Sequence, residues 1–195
     1  MIKNGRQAGT TLSMIRDDHK YRYQFAINKA RELGVKTIVD IGCGTGYGSY
    51  MMAKAGFKVT AYEIDQSAID FGEMHYKHEN LTRIQADIGI LDVMGFDMLT
   101  GFEIIEHTNL APSLLKRAGA THFVGSVPNE LTIPFAQNKH KQHYRHYSPD
   151  EFKQELIESG WKPTIYSQAG KHGSDADITD KLTGRTLIAY ANRSI

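Results

Sequence analysis

Glu103, Glu106 and His107 stand at i, i+3 and i+4 in the run Phe102-Glu103-Ile104-Ile105-Glu106-His107. That spacing brings all three to one side if the chain winds into a helical turn. Two carboxylates and an imidazole facing one point can bind a divalent cation: oxygen-rich sets suit Mg2+ or Mn2+, and Mn2+ accepts imidazole. His143, in His143-Tyr144-Arg145-His146-Tyr147-Ser148-Pro149, is a fourth candidate ligand. His107, His143 and Glu106 are equally candidates for moving a proton on or off a reacting group. The competing reading is that Glu106 and His107 open a solvated helix while His143 sits in a loop.

A second constellation is Asp40-Ile41-Gly42-Cys43-Gly44-Thr45-Gly46-Tyr47-Gly48, directly after a short apolar run and at the head of a helical pattern. Glycines there allow a tight turn and a close backbone approach to a ligand at a helix N-terminus. Glu63 lies 21 positions after Gly42, where an acid can hydrogen-bond a ribose hydroxyl pair. The pair points to an adenosine-containing ligand. The dinucleotide fingerprint needs glycine at position 47, which is Tyr47, and no Lys-Ser/Thr pair completes a phosphate loop. A nicotinamide-dependent oxidoreductase is thereby disfavoured. Asp40, so near the loop, would repel a pyrophosphate but can engage the charged amino-acid portion of S-adenosylmethionine (SAM). Cys43 reads as a loop residue of small bulk rather than a thiol nucleophile.

These residues need a scaffold, and the chain alternates strand and helix patterns, as α/β layers with a largely parallel sheet do. Strands are expected at 36–41, 57–63, 81–86, 96–102, 122–128, 163–168 and 185–191, with helices at 21–33, 47–54, 67–76, 110–117 and 148–159. Ser148-Pro149-Asp150-Glu151 has the form of a capping box. That is one domain over 1–195 with seven strands. Residues 129–147 and 169–184 read as uninterrupted loops, and the first 18 residues as mobile until something binds.

At 195 residues the chain has room for one sizeable core. A formal net charge of +1 argues against a globally basic nucleic-acid binder, and 41% hydrophobic residues against disorder. One cysteine excludes an internal disulfide framework and a CxxC metal cluster. No stretch has the length of a membrane span or a signal peptide, so a cytoplasmic protein is expected, without a membrane or protein partner. The charge is uneven, however: residues 131–147 hold no acid but include Lys139, Lys141, Arg145, His140, His143 and His146. That stretch reads as a basic flap suited to an anionic acceptor, or else as a solvated loop. His75, His78 and His122 are assigned to surface or core. Asp175, Asp177 and Asp180 fail the calcium-loop pattern, which needs glycine at position six and glutamate at twelve, where Asp180 and Thr186 stand.

From His19 to Tyr190 the chain resembles the class I SAM-dependent methyltransferases, which implies a Rossmann-like fold with a mostly parallel seven-stranded sheet, helices on both faces, an antiparallel last strand and an antiparallel edge formed by the last strands. VDIGCGTG (39–46), AYEID (61–65), QADI (85–88) and FDMLTGFEIIEH (96–107) match its successive motifs. The resemblance implies that Asp40, Gly42, Cys43, Gly44 and Gly46 line the methionine portion of SAM, Glu63 the ribose, and Ile64, Asp87 and Ile88 the adenine. It places Gly101 and Phe102 near the sulfonium. The D/N-P-P-Y/F motif of enzymes that methylate DNA base amines is missing from this chain.

On the acceptor side the chain resembles two branches. One is the small-RNA 3′-terminal 2′-O-methyltransferases, with E-x-x-E-H and a later histidine nine residues before a helix phenylalanine, a spacing His143 and Phe152 keep. The other is a bacterial and phage-type group, to which SVPN (126–129), HYRHYSP (143–149) and His19-Lys20-Tyr21-Arg22-Tyr23 are closer. The acid–histidine pattern also looks like quinone-pathway O-methyltransferases. The expected reaction is methyl transfer to a hydroxyl of a small or sugar-containing, sugar- or nucleotide-type acceptor, assisted by Mg2+ or Mn2+ on Glu103, Glu106, His107 and His143. The alternatives are 2′-O-methylation of an RNA end, N-methylation of a small molecule, and a SAM-binding regulatory module without catalysis.

Overall fold

A computed structural model describes residues 8–91, 93–109, 111–137 and 141–194. The apolar, β-branched run Thr37–Ile41 forms β1, and the strands β2 (Lys58–Glu63), β3 (Leu81–Gln85), β4 (Met98–Phe102) and β5 (His122–Pro128) join it in parallel. β6 (Lys162–Gln168), β7 (Ile178–Thr179) and β8 (Thr186–Asn192) complete one sheet in the order β3-β2-β1-β4-β5-β8-β6-β7. The sheet has eight strands where the sequence suggests seven. The added strand is two residues long, paired to Ser167 and Gln168, and it breaks the 169–184 segment together with a 3-10 turn at Gly173–Ala176. β8 is antiparallel to its neighbours, as expected for the last strand, and with β6 and β7 it forms the expected antiparallel edge of the sheet. It lies between β5 and β6, and β7 takes the edge.

Helices cover both faces. α1 (Asp17–Glu32) and α2 (Tyr47–Lys54) pack on one face through Ala26, Ile27, Ala30 and Met52 against Ile38 and Val124. α4 (Ala111–Arg117) and α5 (Pro149–Glu158) pack on the other through Leu114, Leu115, Phe152 and Leu156 against Val39, Ile41 and Phe123. Alternation along β1 sends Ile38 to one core and Val39 and Ile41 to the other, as a strand covered on both faces requires. α3 (Gln66–His75) starts at Asp65, whose carboxylate accepts from Ser67 N, and α5 starts at the expected capping box between Ser148 and Glu151. α1 begins four residues earlier than expected, at Asp17: Arg16 enters it without a side-chain cap, and Asp17 and Asp18 occupy its first turn, where the helix dipole favours acids. Upstream, the Tyr76 hydroxyl donates to the Gly9 carbonyl and Ile15 is buried. Residues 1–7, and the flap residues Lys139 and His140, lie outside the described residues.

α1 and α2 meet closely enough that the glycine of α2 at position 48 is obligatory. A Cβ at Gly48 would stand 2.0 to 2.3 Å from ring carbons of Tyr23. Tyr23 in turn packs edge-on against Phe102 and Tyr47, at ring separations of 4.6 and 5.7 Å. Gly48→Ala is therefore expected to destabilise by about 1–3 kcal/mol, read as a lowered urea midpoint with unchanged slope. An unchanged midpoint would contradict this packing.

Candidate active site

In an open α/β sheet, ligands bind at the carboxyl ends of the strands where the strand order reverses. Here that point lies between β1 and β4, and a cavity of about 920 Å³ opens there. Of the residues assigned from sequence to cofactor binding, Gly42, Cys43, Gly44, Glu63, Ile64, Asp87, Ile88 and Phe102 line it, whereas Asp40, Gly46 and Gly101 stand behind its wall. Gly42 has φ +64°, and a Cβ there would meet Ile104 Cγ1 at 2.5 Å, so the turn after β1 nests directly on the turn after β4. The Cys43 thiol is buried, and burial pushes its pKa well above the ordinary value, which suits a loop residue and not a nucleophile.

Glu63 fastens this wall. Its carboxylate accepts from Gly44 N at 2.9 Å and from Ile64 N and Asp65 N at 3.0 Å each, tying the glycine loop to the end of β2. Asp40 is fully buried and accepts from Ser49 Oγ (2.6 Å), Thr100 Oγ1 (2.8 Å) and Tyr23 Oη (3.4 Å). It thus joins α1, α2, β1 and β4 beneath the loop. Burial pushes its carboxyl up to about 6, against the pull of the three hydroxyl donors. Between about pH 4 and pH 6 the folded state therefore keeps a proton that the unfolded chain has lost, so stability falls as pH rises through that window and levels above it. The shift from 3.8 to about 6 is worth about 3 kcal/mol at most. Unfolding measured across that range should show a steeper fall in the wild type than in Asp40→Asn; parallel curves would refute it.

The wall contributed by α1 is polar. His19 lies between Arg16 Nη2 and the Tyr47 hydroxyl, 2.7 Å from each. Burial, followed by the Arg22 charge, lowers its pKa to about 3, so the ring is neutral. A guanidinium only donates, so Nε2 accepts and Nδ1 carries the hydrogen to Tyr47, leaving the Tyr47 hydroxyl its own hydrogen to give. Arg22, 3% exposed, donates Nε to Gln168 Oε1 at 2.8 Å and reaches Asp18, Thr186 and Glu103 at 3.3 to 3.6 Å. Arg16, His19, Arg22, Tyr23 and Tyr47 all line the cavity. The His19–Tyr23 motif points to this wall, whereas in the sequence Tyr47 stands out only as the residue that breaks a dinucleotide fingerprint.

Beyond β4 the chain turns sharply. Glu103 has φ +53°, rare for a residue with a side chain, and is held there by its N–H on the Ser126 carbonyl (3.0 Å) and by the Ser126 hydroxyl on its carboxylate (2.9 Å). The turn feeds a 3-10 helix at Ile105–His107, which drives Glu106 inward. Glu106 is fully buried and neither carboxylate oxygen has a hydrogen-bond partner. Burial first, and the Glu103 charge second, push its pKa well above the ordinary value. Glu106, His107 and His143 each place a ligand-type atom within 4.8 Å of the others, and the His107 and His143 rings meet edge-on at 4.5 Å. Glu103 is outside this trio and pairs with Ser126 and Arg22 instead. The flap reaches the site through Tyr144 N, which donates to the Glu106 carbonyl at 2.8 Å, and Lys141, Gln142 and Tyr144 line the cavity beside His143.

Residues 16–164 match the family profile described as a methyltransferase domain. The chain belongs to that methyltransferase family. Ubiquinone biosynthesis O-methyltransferase of Coxiella burnetii (strain Dugway 5J108-111) is 34% identical over 89 residues, 44% of this chain and 38% of that protein. Ribosomal RNA small subunit methyltransferase A of Mesomycoplasma hyopneumoniae is 44% identical over 57 residues, 29% of this chain and 22% of that protein. The chain thus spans well under half the length of these curated relatives. Among solved structures, the methyltransferase domain of bacterial CtHen1-C superposes with a TM-score of 0.72 at 17% identity, covering 91% of this chain and 100% of that one. Magnesium protoporphyrin IX methyltransferase from Synechocystis PCC 6803, with bound S-adenosylhomocysteine, gives 0.68 at 16%, covering 91% and 84%. At these identities the structures establish the shared fold.

The methyltransferase uses SAM, and the glycine turn and the acid at the end of β2 both line its cavity. A Cβ at Gly42 would run into Ile104, and the acid at the end of β2 stands beside Ile64, Asp87 and Ile88 on the cavity wall. Among the described residues, no helix of the methyltransferase is long and apolar enough to cross a membrane.

Proposed function

We propose that this single catalytic domain transfers a methyl group to a hydroxyl of a small or sugar-containing acceptor, with a divalent cation held by Glu106, His107 and His143. The observation that carries the reading is Glu106. A carboxylate fully buried without any hydrogen-bond partner is costly, and such a group is kept where a cation or a reacting proton completes it. Two imidazoles and one carboxylate make a donor set that Mn2+ accepts and that Mg2+ takes less readily. A cation there would lower the pKa of a coordinated hydroxyl and hold two neighbouring oxygens. SAM supplies a methyl group that is already activated on its sulfonium.

The chain's own residues then align and deprotonate. Tyr23 and Phe102 form an apolar wall beside the glycine turn, and Glu106, His107 and His143 present their ligand atoms next to it; without a cation, the His143 ring would instead stand within reach as a base. The residues assigned from sequence to the cofactor keep those proposed roles, with Asp40, Gly46 and Gly101 acting through the loops they support. Glu103 is proposed to steer Arg22 and the turn. Arg16 and Lys141 on the cavity wall favour an anionic acceptor, such as a phosphorylated or acidic sugar.

The test is methyl transfer from radiolabelled SAM to a panel of catechols, acidic sugars, nucleotides and RNA 3′ ends, with Mn2+ or with chelator. Cation-dependent O-methyl product on a small acceptor is expected. Transfer undiminished by chelator and by Glu106→Ala, or product at nitrogen alone, would overturn the proposal.

A further inference from the structure

We infer that His146 is a positioning residue that fixes the tautomer of His143 and thereby decides which ring nitrogen His143 offers the proposed cation. The inference rests on the reading above for its consequence, although the tautomer itself does not.

His146 is 5% exposed, and its Nδ1 lies 2.6 Å from the Ile133 carbonyl oxygen. A carbonyl can only accept, so Nδ1 carries the hydrogen. The other group near that nitrogen, Glu130 Oε2 at 4.0 Å, is also an acceptor and favours the same arrangement. In a neutral ring Nε2 is then a lone pair, and it lies 2.9 Å from His143 Nδ1. That contact is a hydrogen bond only if His143 donates from Nδ1. His143 must therefore carry its hydrogen on Nδ1 and its lone pair on Nε2, while its ring lies edge-on to His107. The opposite tautomer would put a hydrogen on Nε2 and set two lone pairs facing each other across 2.9 Å.

Metal-binding histidines ordinarily donate their other N–H to a carbonyl or carboxylate, which sets the tautomer and ring orientation. Here the carbonyl is out of direct reach and a second imidazole passes its polarity along. The support is itself anchored: the His146 ring packs on Phe135 at 5.2 Å, and Phe135 N donates to Glu130 Oε2 at 2.9 Å.

Ring-nitrogen NMR on the 15N-histidine-labelled full chain, metal-free at about pH 8 and so well above the ordinary imidazole value near 6.5, reads the tautomer directly. The wild type should show His143 protonated at Nδ1. His146→Phe should lose that preference, while His146→Gln should keep it, because an amide accepts from His143 with its oxygen and donates to Ile133 with its nitrogen. Mn2+ affinity should fall about 10- to 100-fold in His146→Phe and recover in His146→Gln. His143 protonated at Nε2 in the wild type, or a tautomer and Mn2+ affinity unchanged in His146→Phe, would overturn the inference. Should His146→Phe fail to fold, the wild-type and His146→Gln spectra still decide it. The expected tautomer with no Mn2+ binding by the wild type would uphold the relay and remove the cation from the proposed function.

Discussion

Glu106→Met is expected to abolish most methyl transfer and, at the same time, to make the protein more stable. The loss should be about 10²- to 10⁴-fold in kcat, the range in which a removed acid–base or cation-binding group acts. The stabilisation arises because the wild-type carboxyl is fully buried with neither oxygen in a hydrogen bond and the His107 imidazole 3.9 Å from one of them, whereas methionine of similar volume places no polar atom there. Removing such an uncompensated group returns about 1–3 kcal/mol. The sign with pH follows from the direction of the shift. The folded carboxyl titrates well above the unfolded one, so the wild type loses stability as pH climbs past the ordinary carboxylate value, and the advantage of Glu106→Met grows over the same range. Thermal unfolding of the metal-free proteins at acid and neutral pH measures it. A variant less stable than the wild type at neutral pH would mean that Glu106 is a structural residue and that its partners have been misread.

Glu63→Ala should reduce affinity for S-adenosylhomocysteine about 10- to 100-fold, measured by calorimetry. Three backbone N–H groups, on Gly44, Ile64 and Asp65, converge on that one carboxylate. Hydrogen bonds to a charged group contribute about 1.5–3 kcal/mol each, and a donor left buried without one costs a similar amount. The substitution therefore releases the glycine turn from β2 and removes the acid proposed to meet the ribose. Wild-type affinity in Glu63→Ala would show that the turn holds its shape without the acid and that the ribose is bound by other groups. Glu63→Asp, one methylene shorter, should fall between the two.

Much of this arrangement is written in local patterns. The β1 turn and Glu63 are legible because a glycine loop leaves few alternatives for its ligand, and the α5 start because Ser148 and Glu151 satisfy each other's backbone groups. The far side of the sheet is harder. β7 has two residues after an aspartate-rich turn, too short for any alternation to register, and it exists only because Ser167 and Gln168 present a free edge. The inner position of β8 is legible in its composition: Leu187-Ile188-Ala189-Tyr190-Ala191 is a nearly continuous apolar run, the mark of a strand covered on both faces, while β6 carries Pro163 and a more alternating pattern.

The acid–histidine cluster shows the same limit. Spacing alone puts Glu103, Glu106 and His107 on one side of a regular helix, yet the segment is a short 3-10 turn entered through a left-handed Glu103. That backbone turns Glu103 toward Ser126 and Arg22 and leaves Glu106, His107 and His143 together. Arg16, Tyr47 and His146 shape the cavity or its support through contacts between segments distant in sequence or set by a folded loop, which a linear pattern does not encode.

The proposed chemistry turns on a cation held by Glu106, His107 and His143 beside the transferred methyl group. The most direct measurement is anomalous diffraction from crystals grown with S-adenosylhomocysteine and Mn2+. The expected result is one manganese peak within bonding distance of a Glu106 carboxylate oxygen and a nitrogen of each histidine, with the cofactor product against the glycine turn. S-adenosylhomocysteine in place with no manganese at those three residues, in an enzyme fully active in chelator, would contradict it.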